Sequence, residues 1–290
     1  MIRHPIARQE LASRIDAQAK GWTAAARKKT EKFRAARKYS EKQGSWSKVK
    51  QVYIDLQFGK CAYCERKFGV DEKSRIEHDV EHFRPKSSIK AWPPKGGKLH
   101  YEFRTGTAST RGYYLLAYNP LNYMVSCKKC NSPYKSDHFP IAKTRRLNSD
   151  DFAKLALEQP LLLYPISDVD EDPEALIAFE GILPVVKAAS GHAGHRARVT
   201  IDFFALDTRE ELLRERALIL KAIYVAWSDL EHADPLRRRD ANQTIHQIDE
   251  PKLPHRNCAR SFYRLCKDDP VSARDYYRAC IEYLDSIGYG

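Results

Sequence analysis

Apolar residues in the first part of the chain recur at intervals of three or four, and polar or charged residues fill most positions between them. This spacing places the apolar side chains on one face of a helix. The residues of that face are Leu11, Ile15, Ala19, Trp22 and Ala26. The pattern predicts a helix over residues 8–43, which Gly44 and Ser45 end, and a second, shorter helix over residues 46–58.

The middle of the chain, residues 59–140, changes character. It is rich in turn-forming, aromatic, cysteine and histidine residues. Proline and glycine pairs across residues 93–112 predict a loop. The apolar, aromatic run 113–118 predicts a short strand.

The last part of the chain combines extended and helical patterns. Apolar runs within residues 160–187 predict strands, with Gly181 at a hairpin turn. Asp207, followed three residues later by Glu210, resembles a capping box and predicts the start of a helix. The Asp-Pro pair at 269–270 predicts the start of the last helix.

The chain has 290 residues, 42% of them hydrophobic, and a mean hydropathy of −0.61. This composition predicts a globular protein, because no apolar run approaches the ~20 residues that a membrane-spanning helix needs. The N-terminal sequence lacks the apolar core of a secretory signal. We therefore expect a cytoplasmic protein with no membrane partner.

Charge is distributed unevenly along the chain. Residues 1–60 carry 15 Lys and Arg against 5 Asp and Glu, residues 61–140 carry 14 against 8, and residues 141–290 carry 21 against 25. Basic side chains gain affinity for nucleic acid by releasing counterions from its phosphates. The first half is therefore a candidate nucleic-acid-binding region, with a solvated basic helix as the alternative. The residues expected to contact the nucleic-acid backbone are Arg27, Lys28, Lys29, Lys32 and Arg34.

Two CxxC pairs indicate a metal site. Cys61 and Cys64 form the first pair, and Cys127 and Cys130 form the second. Two such knuckles provide four thiolates for one tetrahedral ion, and this ligand set suits zinc. The 62 residues between the pairs exceed the length of a simple zinc ribbon, so other structure has to lie between the knuckles. Four unrelated buried cysteines are the alternative. The remaining cysteines are expected to be buried thiols: Cys258, Cys266 and Cys280.

Oxygen and nitrogen donors surround the knuckles. Glu81 directly precedes His82, and Asn131 directly follows the second knuckle. A carboxylate beside a histidine can divide two tasks, since the carboxylate binds a hard cation and the imidazole accepts a proton. The asparagine can give that cation a further oxygen ligand. His78 is a second candidate base, although it lacks the Phe-Arg-Pro-Lys sequence that follows His82.

These residues resemble the motifs of HNH endonucleases, which have the ββα-metal fold. Those enzymes carry an acidic residue and a histidine, then an asparagine, then a histidine or asparagine, within a zinc-knuckle frame. The matching residues here are Glu81 and His82, Asn122 and Asn131. The wider sequence, with the runs 61–65 and 80–86 and later stretches up to about residue 220, resembles the HNH nuclease subunit of Septu-type and retron-associated anti-phage systems. That subunit works beside an ABC-type ATPase.

The resemblance implies a role for each matching residue. His82 would be the general base that activates water, and Glu81 and Asn131 would hold a catalytic Mg²⁺ or Mn²⁺. Asn122 would fix the loop that orients His82, with Asn119 as its alternative. The remaining implied contacts are to phosphates, by Arg84, Lys86 and Lys135.

We therefore expect an α+β protein of three parts. A basic helical N-terminal arm (residues 1–58) precedes a zinc-knuckle HNH nuclease domain with a ββα-metal core (59–145), and a mainly helical C-terminal region that docks on the ATPase follows (146–290). The expected function is metal-dependent cleavage of DNA, or alternatively RNA, in anti-phage defence. A non-catalytic zinc-ribbon module that binds nucleic acid and a stand-alone restriction-type nuclease are the other interpretations. The Glu-His pair argues against the first of these, and the net acidic C-terminal region argues against the second.

Overall fold

The structure is a computed structural model that describes residues 1–69, 77–187 and 190–289. Within these ranges the helices are α1 (Arg8–Gln18), α2 (Trp22–Ala36), α3 (Lys50–Leu56), α4 (Phe152–Ala156), α5 (Pro173–Leu176), α6 (Gly191–Phe203), α7 (Glu210–Ser228), α8 (Pro235–Gln247), α9 (Arg256–Asp268) and α10 (Pro270–Ser286). The strands are β1 (His78–His82), β2 (Tyr123–Cys127), β3 (Ile177–Glu180) and β4 (Leu183–Val186). Short 3₁₀ turns lie at Trp46–Val49, Tyr114–Leu116 and Pro120–Asn122, and a π-helical turn lies at Cys130–Lys135. This mixed content agrees with the expected α+β class.

The N-terminal arm contains two helices rather than the single long one that the sequence predicts. A turn separates α1 from α2, and in it Gly21 adopts a left-handed φ of 73°. Residues with a side chain rarely adopt this conformation. Asp16 bridges the break, because its carboxylate accepts a hydrogen bond from the Thr23 backbone N–H at 2.9 Å. The helical prediction for residues 37–43 was also wrong, since the chain leaves the helix at Arg37, which has a φ of 53°.

The run 113–118 is not the strand that its composition predicts. Its centre is a 3₁₀ turn, and all six residues are buried. A short, continuous apolar run does not distinguish a buried strand from a buried helical turn. Contacts with distant residues favour the turn over the strand here, since the Tyr113 N–H donates to the Pro85 carbonyl oxygen at 2.7 Å.

The sheet formed by β1 and β2 connects the two halves of the candidate site. The strands are antiparallel, with His78 opposite Cys127 and His82 opposite Tyr123. One end of the sheet therefore carries the second cysteine knuckle, and the other end carries His82. Gln57, at the end of α3, extends the hydrogen bonding of the sheet, because its side chain accepts from the Val125 N–H and donates to the Val125 carbonyl oxygen, both at 2.7 Å.

The predicted hairpin around Gly181 is confirmed. β3 and β4 pair antiparallel, and the turn that joins them contains Gly181 with a φ of 55°. A Cβ atom on Gly181 would lie 2.6 Å from the Tyr276 ring of α10. Glycine is therefore required here both by the backbone conformation and by the packing of the hairpin on the C-terminal helices.

Helices α7 to α10 share a second apolar cluster that is separate from the main core. The predicted buried thiols are confirmed as members of it, and all are buried: Cys258, Cys266 and Cys280. α10 begins as predicted, because the Asp269 carboxylate accepts from the Ser272 N–H at 3.1 Å. The predicted capping box at Asp207 was wrong, since α7 begins at Glu210 and Arg209 directly precedes it. None of the helices in the described ranges combines the length and apolar character that crossing a bilayer requires.

Candidate active site and metal centre

The four cysteines of the two knuckles come together as predicted. All four sulfur atoms lie within 4.8 Å of one another, and Cys64 Sγ lies 3.9 Å from Cys127 Sγ. Four sulfurs at about 2.3 Å from a tetrahedral zinc ion would lie about 3.8 Å apart. The cluster is therefore of the right size and chemistry to hold zinc. β2 connects the two knuckles of the cluster, because the Cys127 N–H at its end donates to Cys61 Sγ at 3.3 Å.

A buried arginine contacts this cluster. The side chain of Arg209 is 2% exposed, and its Nη1 lies 3.2 Å from Cys130 Sγ. Its Nε also donates to Glu211 Oε1 at 2.9 Å. Four thiolates around one zinc ion carry a net charge of about −2, so a buried cation beside them lowers the electrostatic cost of the cluster. Nothing in the local sequence marks Arg209 as a partner of a cysteine 79 residues away.

The two faces of β1 carry different chemistry. Successive side chains of a strand point to opposite faces, so Glu81 and His82 point away from each other. Glu81 and Asp79 share the face that the π-helical turn covers: Lys135 Nζ lies 3.2 Å from Glu81 Oε1, and Asn131 Nδ2 lies 3.4 Å from Asp79 Oδ2. His82, the last residue of β1, starts on the other face, but the charges of Lys86 and Lys135 act on both His82 and Glu81 at this end of the strand. The sequence alone places the two residues side by side but does not show this separation.

His82 is held as a neutral imidazole. It is 7% exposed, and its ring makes edge contacts with Trp46 and Tyr123 at centroid distances of 4.7 and 5.0 Å. Its Nε2 lies 3.1 Å from the Ala117 carbonyl oxygen. A carbonyl oxygen can only accept, so Nε2 carries the proton and the lone pair of the neutral ring is on Nδ1. Burial, together with the charge of Lys86, lowers the pKa of His82 well below 6.5, so the ring is neutral at neutral pH.

Asn122 holds the backbone that follows His82. Its side chain is fully buried, accepts from the Arg84 N–H at 2.8 Å and donates to the Arg84 carbonyl oxygen at 3.0 Å. The backbone carbonyl oxygen of Asn122 also accepts from the Phe83 N–H at 2.9 Å. Asn119, the alternative, caps its local 3₁₀ turn by accepting from the Leu121 N–H. The contacts favour Asn122 over Asn119 as the residue that orients the loop after His82.

Glu81 is a buried carboxyl group with a perturbed pKa. It is 5% exposed, and burial raises its pKa to about 7 even though the charge of Lys135 opposes the shift. Asn131 lies on the same side of the sheet, one residue after Cys130, but its amide contacts Asp79 rather than Glu81. The structure thus brings the two predicted metal ligands to one face and adds Asp79, to which the sequence motif assigns no role.

Two of the expected phosphate contacts lie in buried ion pairs. Arg84 is 4% exposed, pairs with Glu158 and donates to the Leu155 carbonyl oxygen at 3.2 Å. Lys135 is fully buried beside Glu81. This burial contradicts the expectation that either side chain reaches a phosphate in the described conformation. Lys86 is half-buried, with its ammonium 4.6 Å from the centroid of the Trp46 ring.

Most of the predicted basic surface lies on α2. The apolar face of α2 packs inward through Trp22, Ala26 and Phe33, and the opposite face is exposed. The exposed basic residues of that face are Arg27, Lys28, Lys32 and Arg34. Lys29 differs from them, because it turns inward and donates to the Tyr118 hydroxyl at 2.9 Å. The nucleic-acid contacts of this face stay a prediction.

The chain is similar to a Septu protein. It is 33% identical over 181 residues to Septu protein PtuB of Bacillus mycoides (strain KBAB4), and the matched part is 60% of this chain and 52% of that protein. The chain thus spans about half the length of this curated relative. No protein-family model matches the chain, and no solved structure matches it.

This similarity agrees with the Septu part of the resemblance that the sequence motifs indicate. The nuclease activity that the motifs imply stays a prediction, as do the catalytic metal and the ATPase partner. Three contacts around His82 could not be read from the motifs: those with Trp46, Tyr123 and the Ala117 carbonyl oxygen. They belong to segments that only the fold brings to β1.

Proposed function

We propose that this protein is a metal-dependent endonuclease of the HNH type, which hydrolyses phosphodiester bonds of DNA as the effector of a Septu-type anti-phage system. The similarity to a Septu protein supports the defence setting. The observation that carries the chemical part is the setting of His82. A buried, neutral imidazole bonded through Nε2 to a backbone carbonyl oxygen directs its Nδ1 lone pair to accept a proton.

The donor set on the other face of β1 suits a hard divalent cation. Glu81 and Asn131 offer carboxylate and amide oxygens, which Mg²⁺ and Mn²⁺ prefer, and Asp79 adds a second carboxylate nearby. The position already attracts positive charge, because the ammonium of Lys135 lies 3.2 Å from Glu81 Oε1. A bound Mg²⁺ or Mn²⁺ would stabilise the charge that develops on the scissile phosphate. Glu81 and Asn131 are the residues that would hold it.

The protein's own residues divide the remaining work. His82 Nδ1 takes the proton of the attacking water, and the bond from Nε2 to Ala117 keeps the ring in the required tautomer. Asn122 fixes the backbone after His82. The cysteine cluster fixes Asn131, since Cys130 directly precedes it in the π-helical turn. The exposed basic face of α2 attracts the phosphate backbone.

The C-terminal helices provide a surface for the ABC-type ATPase partner. α7 and α8 expose three large apolar side chains: Leu218, Val225 and Leu236, at 39%, 45% and 61% exposure. Leu218 and Val225 are seven residues apart and therefore lie on the same face of α7. Exposed apolar side chains in a net acidic region are consistent with a docking surface for a protein rather than for nucleic acid.

Plasmid cleavage tests the proposal. Purified protein, alone and with a co-expressed ABC-type ATPase, is incubated with supercoiled plasmid in Mg²⁺ or Mn²⁺, with RNA as a parallel substrate. We expect metal-dependent nicking that His82→Gln slows by a factor of about 10²–10⁴. His78→Gln is the matched control, because His78 is a buried histidine at the opposite end of β1 that contacts Phe68 at 4.4 Å. Binding of DNA without cleavage under all these conditions would favour the zinc-ribbon binding module instead.

A further inference from the structure

The buried ammonium of Lys135 has only part of the environment that it needs. Lys135 ends the π-helical turn and is fully buried. A buried ammonium is costly unless it is paired and hydrogen-bonded. Its nearest ion-pair partner is Glu81, at 3.2 Å between Nζ and Oε1.

The ion pair leaves most of the hydrogen-bonding capacity of the ammonium unused. The contact with Glu81 is within reach but poorly aligned, and Nζ has no well-aligned hydrogen-bond acceptor among the described residues. An ammonium has three N–H donors and no acceptor. A group with anionic oxygens would therefore satisfy Lys135 better than Glu81 alone does.

Glu81 is also the carboxylate that would hold the divalent cation of the proposed nuclease. Two cations a few ångströms apart repel each other strongly in a buried site. A divalent ion therefore cannot bind Glu81 while the ammonium of Lys135 stays at its present position. Lys128 differs from Lys135, because it pairs with Asp79 on the same strand but is about half exposed, where solvent screens its charge.

We propose that Lys135 is the resident counter-cation of Glu81 in the metal-free protein, and that it exchanges Glu81 for a phosphate oxygen of the substrate when a divalent cation binds. The proposal rests on the proposed function, since it assumes that Glu81 is a metal ligand. It makes Lys135 a substrate-binding residue, with two consequences. Lys135 weakens metal binding in the absence of nucleic acid, and it strengthens substrate binding once metal is present. It also reconciles the burial of Lys135 with the phosphate contact that the motif implies.

Binding of Mn²⁺ alone, followed by the electron paramagnetic resonance signal of the free ion, tests the first consequence without any cleavage. The zinc-loaded wild type is compared with Lys135→Met, Lys135→Arg, Lys128→Met and Glu81→Gln in mildly alkaline buffer. We expect Lys135→Met to bind Mn²⁺ at least about tenfold more tightly, because a unit charge next to the ion is removed. Lys135→Arg keeps the charge and should bind like the wild type. Lys128→Met should change the affinity by less than about threefold, since its charge is screened.

Substrate binding tests the second consequence. At saturating Mn²⁺, Lys135→Met should raise the KM for plasmid by about tenfold or more, because the variant cannot form the charge-assisted hydrogen bond to phosphate. Circular dichroism of each variant controls for folding. If Lys135→Met does not fold, Lys135→Gln replaces it, since its amide keeps a polar group in the buried position.

The outcomes separate the inference from the function on which it rests. If Glu81→Gln abolishes Mn²⁺ binding while Lys135→Met leaves the affinity unchanged or weaker, the role of Lys135 is refuted and the metal assignment stands. If Glu81→Gln has no effect on Mn²⁺ binding, the metal assignment fails, and the role of Lys135 fails with it. A tighter Mn²⁺ affinity with an unchanged KM would refute the phosphate exchange.

Discussion

Replacement of His82 is the most direct test of the proposed chemistry, and the structure shows that two variants are needed. In His82→Gln the side-chain amide can still donate to the Ala117 carbonyl oxygen, which His82 Nε2 contacts at 3.1 Å, but no proton acceptor of suitable basicity remains. Loss of a general base typically costs a factor of about 10²–10⁴ in rate. We expect a loss of that size in the rate of plasmid nicking.

His82→Ala removes packing as well as the base. The two edge contacts of the ring, with Trp46 and Tyr123, are each worth about 0.5–1.5 kcal/mol. The hydrogen bond to Ala117 is worth about 1 kcal/mol. The free energy of unfolding should therefore fall by about 2–4 kcal/mol, which corresponds to a melting temperature roughly 3–7 °C lower for a chain of 290 residues. A loss of activity in His82→Ala could therefore result from lower stability as well as from lost catalysis. This ambiguity is smaller for His82→Gln.

The assay is a plasmid-nicking time course in Mn²⁺, well below the melting temperature of each variant, with circular dichroism to follow unfolding. His78→Gln, a change at the other end of β1, should cut at the wild-type rate. The reasoning is refuted if folded His82→Gln cuts as fast as the wild type. If His78→Gln alone loses activity, His78 is the base and the motif assignment has the wrong histidine.

Four other measurements test the metal sites and the basic surface. Cys127→Ser should bind well under one equivalent of zinc by metal analysis and melt about 5–10 °C lower, because the ion contributes to folding; an unchanged melting temperature contradicts this. Arg209→Gln should release zinc to a chelator several-fold faster than the wild type, whereas Arg214→Gln, in the first turns of α7 and over the Tyr289 ring, should not. Affinity for Mn²⁺ should fall about tenfold per pH unit below about 7, because burial raises the pKa of Glu81 to about 7 and its protonated form cannot bind metal. Protonation of His82 does not affect this pH range, since the pKa of His82 is lowered. An Mn²⁺ affinity that stays constant from about pH 6 to about pH 7.5 would contradict the assignment of Glu81 as a metal ligand. Replacing Arg27, Lys28 and Lys32 of α2 by Gln should make the slope of log affinity against log salt shallower by about 0.9 for each phosphate that is no longer neutralised. Fluorescence anisotropy with a labelled duplex measures this slope. An unchanged slope would show that these residues form a solvated helix face that does not bind the nucleic-acid backbone.

The cysteine cluster ties the site to the C-terminal helices. Arg209 directly precedes α7 and contacts Cys130, and Lys129 of the knuckle pairs with Glu211 at 2.8 Å. The π-helical turn that carries Asn131 and Lys135 begins at Cys130. A protein that docks on α7 therefore has a short physical connection to the proposed catalytic face. This connection gives the C-terminal region a structural role in the site in addition to the docking surface that we propose.

Patterns that depend on neighbouring residues could be read from the sequence alone. The two CxxC pairs predict a four-sulfur cluster because their chemistry tolerates few other arrangements, and the structure agrees. The hairpin at Gly181 and the cap at Asp269 were also readable, since each depends on local turn or capping geometry. The motif around His82 also names two segments that are in contact, because the Asn122 side chain accepts a hydrogen bond from the backbone after His82.

Tertiary structure decided everything that depends on which distant segments meet. The sequence could not show that Glu81 and His82 face opposite sides of β1, that Arg84 and Lys135 are buried rather than exposed, or that Arg209 reaches the cysteines. An apolar run such as 113–118 is equally compatible with a strand and with a buried turn until its partners are known. The physical reason is the same in each case: burial, charge pairing and the pKa of a group depend on the atoms packed around it, and those atoms come from parts of the chain far away in sequence.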